Sequence, residues 1–359
     1  MSAGHGETVI QKPISEYAKY LKSLIPANIP EAFSLRPMFE RVAGEEEIRK
    51  GVIAFRDFLY ILCDRLISGG YSHARPQKTS NPTDYPFLHN INHLLIDVGY
   101  HGRQAESGES LLLTEVPSFS VPRPKIPGSK QMECLRFLSL CGLRFMGIDL
   151  EAKTFHMQGE YLEVKYPDDP VMLTGLKALS IADMELRPRR YSNDDHLLWC
   201  DYGLMETDVD ILGVLKNYLH PLSKDVREFA VGLYRRYMDM GMTYTVSRAN
   251  GLRIACSNVK NIQKALSSRE IYDRRVWEFA VSMRDGCCLV VRTKKTDRYA
   301  GAIEKFSPYL QGKIAREYGC DRKLRGERCQ HGCQGILIPL DDGILSIGRD
   351  IETWLDHEI

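Results

Sequence analysis

Met242-Thr-Tyr-Thr-Val-Ser-Arg-Ala-Asn-Gly-Leu-Arg-Ile-Ala-Cys-Ser257 decides the fold class of this 359-residue chain. Two runs suited to strands, Met242 to Ala249 and Leu252 to Ser257, flank Asn250-Gly251. Asn-Gly readily takes the positive φ angles of a type I′ turn, so the stretch reads as an antiparallel hairpin. On its N-terminal side, Asp208 to Leu219 and Ser223 to Met240 read as helices, the second with Val226, Phe229, Ala230, Leu233 and Tyr237 on one stripe. On its C-terminal side, Val276, Phe279 and Ala280 fall at helical spacing. Asp285-Gly286 then turns into the buried run Cys287 to Val291, followed by a strand from Ile336 to Leu340 and a helix from Ile347 to Leu355. Strand pairs joined by hairpins and interleaved with helices define an α+β fold rather than a doubly wound parallel sheet.

The N-terminal half has the same grammar. Glu45 to Ile67 predicts a helix, with Val52, Phe55, Leu59 and Leu62 on one face and Gly69-Gly70 as its stop. A Pro-rich loop over 71–86 leads to a second helix, Phe87 to Val98, expected to end near Gly99. Leu111 to Val116 reads as a strand, and Pro117, Pro122, Pro124 and Pro127 make 117–128 an extended connector. Ser129 caps a helix through Leu140. Strands are expected at Arg144 to Asp149, Tyr161 to Tyr166 and Leu197 to Asp201, with a helix over Leu173 to Met184. The character changes near residue 205, which predicts two α+β domains, 1–205 and 206–359, each a small mixed or antiparallel sheet packed with helices.

Lys plus Arg number 48 against 47 Asp plus Glu, so no global field selects nucleic acid or an anionic membrane. G-x-G-x-x-G, Walker A, G-x-S-x-G and H-E-x-x-H motifs are all missing from the sequence. No apolar stretch reaches the about 18–20 residues that span a bilayer. Met1 to Tyr20 carries no apolar core of a secretory signal, so a cytoplasmic location with reduced thiols is expected for the ten cysteines.

Three of those cysteines cluster: Cys320, Cys329 and Cys333, with His331 between the last two. Zinc takes four nitrogen or sulfur ligands in a tetrahedron, and Gly326, Gly332 and Gly335 give the chain freedom to wrap an ion. Arg322, Lys323, Arg325 and Arg328 favour thiolate. A structural zinc is therefore the expected cofactor, with Cys287 or Cys288 as alternatives to His331 as fourth ligand. The C-x8-C-x3-C spacing lacks the paired C-x2-C knuckles of zinc ribbons, so plain thiols or a Cys329–Cys333 disulfide stay open.

Two further constellations carry chemistry. His89, His93, Asp97 and His101 recur every four residues along the second helix, on the side opposite Leu88, Ile91, Leu95 and Val98. The first three form an alternative metal or ligand site facing solvent or a cleft. From Arg284 to Arg328 there are 12 Lys and Arg against 6 Asp and Glu, a net of +6. Within it, Arg292, Lys294, Lys295 and Arg298 follow a buried strand and are expected to face an acidic or phosphate-bearing partner. Arg187-Pro-Arg189-Arg190 and Asp194-Asp195-His196 read as a solvated loop. Together these features predict a binding or regulatory protein. The alternatives are an enzyme working through the histidine stripe or the cysteine cluster between the domains, and a nucleic-acid binder working through 284–328.

Overall fold

The computed structural model describes residues 13–31, 34–69, 86–114, 128–187, 196–248, 251–258, 274–282, 286–293, 298–317 and 335–359. The fold is α+β, with two separate antiparallel sheets. The chain divides into two compact units, Met1–Val209 and Asp210–Ile359.

In the N-terminal unit, α1 (Ile14–Leu24), α2 (Glu45–Ser68), α3 (Pro86–His101), α4 (Gly128–Leu140) and α5 (Val171–Ile181) accompany β1 (Arg103–Gln104), β2 (Ser110–Leu113), β3 (Arg144–Met146) and β4 (Leu162–Lys165). The sheet order is β1-β2-β4-β3. Ile48, Val52, Phe55, Leu59 and Leu62 of α2 are fully buried, as their periodicity requires. Contact between α2 and α5 is made backbone to backbone: a Cβ placed on Gly175 would lie 2.1 Å from the Gly51 carbonyl oxygen. Gly99 does not end α3, which runs to His101. It lets α3 approach α5, for a Cβ there would meet Ser180 Oγ at 2.2 Å and Leu176 O at 2.7 Å. β3 stops at Met146 because Gly147 turns the chain at φ +88°.

Leu197 to Asp201 is not a strand. It starts within one short 3-10 turn, His196–Trp199, and leads into another, Tyr202–Leu204, with Leu197, Leu198, Trp199 and Cys200 all buried. A short apolar run fixes burial but not period, and here the sheet already ends at β1 and β3. The proline-rich connector lies outside the described residues.

The C-terminal unit contains α6 (Ile211–Leu219), α7 (Lys224–Asp239), β5 (Thr243–Ser247), β6 (Leu252–Ser257), β7 (Arg275–Ser282), β8 (Gly286–Val291), α8 (Ala300–Ile303), α9 (Pro308–Glu317), β9 (Ile336–Pro339), α10 (Gly343–Ser346) and α11 (Gly348–Glu358). Its five strands are ordered β5 to β9, each antiparallel to the next. Trp277 sits in the core against Tyr237, Tyr244 and Phe279, ring centroids 5.6, 5.8 and 4.9 Å away, all edge-to-face. Such geometry adds roughly 0.5–1.5 kcal/mol per pair beyond area burial.

The hairpin is present, but its register departs from the Asn250-Gly251 reading. A two-residue turn there pairs Ser247 with Ile254; the structure pairs Ser247 with Arg253 and Val246 with Ile254. The observed register puts Tyr244 opposite Cys256 and Val246 opposite Ile254, keeping apolar residues together on the core face. Gly251, at φ +67°, supplies the left-handed residue of the longer loop.

The expected helix around Val276 is strand β7. Its residues 276–281 are all buried, so the alternation that marks a half-exposed strand is erased. Val276, Phe279 and Ala280 at spacings of three and four are a by-product of that two-sided burial.

Candidate functional site

Along β7, Trp277 and Phe279 enter the aromatic core, so Glu278 and Ala280 point to the other face. Glu278 lies opposite Ala255 on β6 and Val290 on β8. Arg253 of β6, paired with Ala280, shares its face. So does Arg292, which follows Val290 by two residues and keeps the strand pairing through a hydrogen bond from its N–H to Val276 O at 2.8 Å.

Three guanidinium groups converge on this one carboxylate. Arg292 Nη2 lies 2.6 Å from Glu278 Oε1, Arg253 Nη1 donates to the same oxygen, and Arg275 Nη1 stands 3.5 Å from Oε2. Glu278 is 0% exposed, while the side chains of Arg292, Arg275 and Arg253 are 9, 17 and 24% exposed. A fully buried carboxylate persists only when paired, which accounts for one arginine. Three concentrate positive potential at one place on the sheet, and a guanidinium fork matches carboxylate and phosphate oxygens two at a time.

This arrangement corrects the reading of Arg292, which is not a surface residue facing a partner directly. It is buried by the strand alternation that places it beside Glu278. Arg298 is exposed. Lys294 and Lys295 lie outside the described residues, as do Cys320, Cys329, His331 and Cys333. Arg253, Arg275 and Glu278 were missed in the sequence because β7 reads as a helix. The available signal was a lone Glu between Trp277 and Phe279, bracketed by arginines.

Cys287 and Cys288, neighbours on β8, point to opposite faces. Cys288 packs with Ala280 and Val290, while burial pushes the Cys287 thiol up to about 12.

Of the histidine stripe, His101 at the end of α3 is exposed, but the three residues of the expected ligand site are not. Asp97 is 2% exposed, and His89 and His93, ring centroids 6.4 Å apart and stacked, are half-buried. α3 packs against α4 and α5 and the sheet, so its second face is covered as well. Among the described residues no group of three or more His, Cys, Asp or Glu side chains is placed to hold a metal ion.

Arg187 and His196, expected in a solvated loop, are also buried. Arg187 Nε lies 2.8 Å from Asp183 Oδ2 and its Nη2 3.6 Å from Asp201 Oδ2; His196 Nδ1 is 3.9 Å from the same Asp201 oxygen. Asp183 lies in a π turn, Ala182–Leu186, that extends α5. Beside Asp201, Cys200 has φ +55°, the one positive value among the described non-glycine residues. Residues 188–195 lie outside the described residues.

No family model, curated protein or solved structure matches this chain. Among the described residues no helix is long and apolar enough to cross a membrane.

Proposed function

We propose that the chain is a non-catalytic binding or regulatory protein whose C-terminal unit engages an acidic partner, a protein segment bearing carboxylate or phosphate groups. The observation that supports this is the convergence of Arg253, Arg275 and Arg292 on Glu278. Glu278 holds the forks in position, and the partly exposed Arg253 and Arg275 reach the ligand. A protein segment is favoured over nucleic acid because the whole chain carries a formal net charge of only +1. In this reading the protein works in the cytoplasm, and Cys320, Cys329 and Cys333 with His331 hold a structural zinc. Support for the zinc comes from the sequence alone.

Fluorescence anisotropy with a labelled acidic phosphopeptide tests the site. Binding that weakens with salt and falls several-fold in Arg253→Gln, at unchanged thermal stability, is expected. Equal binding by the variant overturns the site, and tighter binding of a single-stranded oligonucleotide of equal charge transfers it to nucleic acid. Elemental analysis of untagged protein tests the metal. About one zinc per chain, lost together with stability in Cys329→Ser, is expected; no zinc and freely titrating thiols in denaturant remove it.

A further inference from the structure

Within the N-terminal unit, the end of α3, the last turn of α5 and the 3-10 turn Pro37–Arg41 border a cleft of about 460 Å³. Small-molecule sites occupy about 300–1,000 Å³. The cleft is reached by the one charged residue of α5, whose sequence is otherwise Val-Met-Leu-Thr-Gly-Leu before Lys177 and Ala-Leu-Ser-Ile after it. A leucine there would complete the packing of α5 without taking a charge out of water. Lys177 Nζ instead donates to Gly102 O at 2.6 Å and Gly99 O at 3.4 Å, the carbonyls that end α3. Among the described residues no carboxylate pairs with it. Burial, with repulsion from Arg41 added, holds its amine below the usual lysine range.

Arg41 comes to the same cleft and is held by Glu185 of the π turn, Nη2 to Oε1 2.6 Å. Two cations against one carboxylate leave the cleft one positive charge in excess, with Tyr100 and His101 forming a ring-lined wall. Capping the α3 carbonyls uses two of the three Lys177 donors; it does not explain a second cation brought alongside.

We propose that this cleft binds a small molecule with one anionic group, a carboxylate or a phosphate ester, seated between Lys177 and Arg41 with its body along Tyr100. The ligand supplies the counter-charge that the protein withholds from Lys177. π turns interrupt helices frequently at functional sites, and this one sets the Glu185 that orients Arg41.

The test is amine labelling of the full chain near neutral pH, read residue by residue by mass spectrometry, with inorganic phosphate and with benzoate as probes. Saturable, several-fold protection of Lys177 by either probe is expected, and phosphate against benzoate distinguishes the two anion classes. Protection must vanish in Arg41→Gln, whose side chain is 54% exposed, and a thermal melt matching that of the parent chain is expected to show that the loss is not unfolding. Protection by neither probe overturns the proposal. So does protection that survives in Arg41→Gln, because it would report general ionic screening rather than a site.

Discussion

In the N-terminal unit the tightest helix contact, α2 on α5, is made by two residues without side chains, Gly51 and Gly175. In the C-terminal unit the centre of the core is ring against ring, with Trp277 touching Tyr237, Tyr244 and Phe279. The charged interiors differ in the same sense. Asp183 and Asp201 surround Arg187 in the first unit, whereas three arginines surround Glu278 in the second. Close backbone contact leaves little give, and a carboxylate-rich network keeps a second acid when one is lost. A core of large rings can adjust around small changes, but a lone carboxylate among three cations has no substitute.

The largest effect should come from the glycine contact. Gly175→Val forces atoms into the Gly51 backbone, where no side chain can swing aside, and is expected to cost about 3 kcal/mol or more. Thermal or urea unfolding should show the N-terminal unit lost. A well-folded variant with an ordinary melt would mean that the α2–α5 contact is not tight.

Next come the two networks, set against each other. Glu278→Ala leaves three guanidiniums around an empty place and is expected to cost about 3–5 kcal/mol, the range for breaking a buried ion pair. Asp201→Asn removes one acid while Asp183 still holds Arg187 at 2.8 Å, so a loss of about 1–2 kcal/mol is expected. Urea titrations of both variants decide it, and equal losses would erase the distinction between the networks.

The sequence reveals one of these regions far better than the other. The α2 and α7 helices are legible because one buried face repeats at helical period, and the hairpin because Asn250-Gly251 marks a turn between two strand-like runs. β7 is illegible for the same physical reason that makes it central, burial on both faces. With it went Glu278, Arg253 and Arg275, whereas Arg292 was singled out but expected at the surface. Arg187 and His196 hide differently: charged residues in a stretch dense with Pro, Arg and Asp read as solvated, and their burial rests on Asp183, one turn before Arg187, and on Asp201 beyond the loop. The roles of Gly51, Gly99 and Gly175 could not be read either, since a close approach depends on a partner far away in sequence.

Alkaline titration sharpens the comparison without a mutation, because both units bury thiols. Burial pushes Cys63 and Cys141 in the first unit, and Cys256 and Cys287 in the second, up to about 12 from a usual 9.0. A raised thiol keeps its proton in the folded chain after the unfolded chain has lost it. Stability is therefore fully present below pH 9 and declines as pH rises toward 12, by at most about 1.4 kcal/mol per pH unit for each thiol. Melting curves at increasing pH should fall in this window, and replacing Cys63 and Cys256 by Ala should flatten the fall. A flat profile in the parent chain would show these thiols to be accessible.

The smallest effect has the opposite sign and isolates what the glycine contact contributes. Gly232 lies on the exposed side of α7, and a Cβ added there meets nothing within 4 Å. Gly232→Ala removes backbone freedom from the unfolded chain and is expected to stabilise the C-terminal unit by about 0.5–1 kcal/mol. The same methyl group that cannot fit at Gly175 should thus help at Gly232, since the two positions share helical geometry and differ in what lies opposite. If Gly232→Ala destabilises the protein in a thermal melt, α7 has a neighbour on that face, and the contrast between a glycine needed for contact and one merely tolerated in a helix fails.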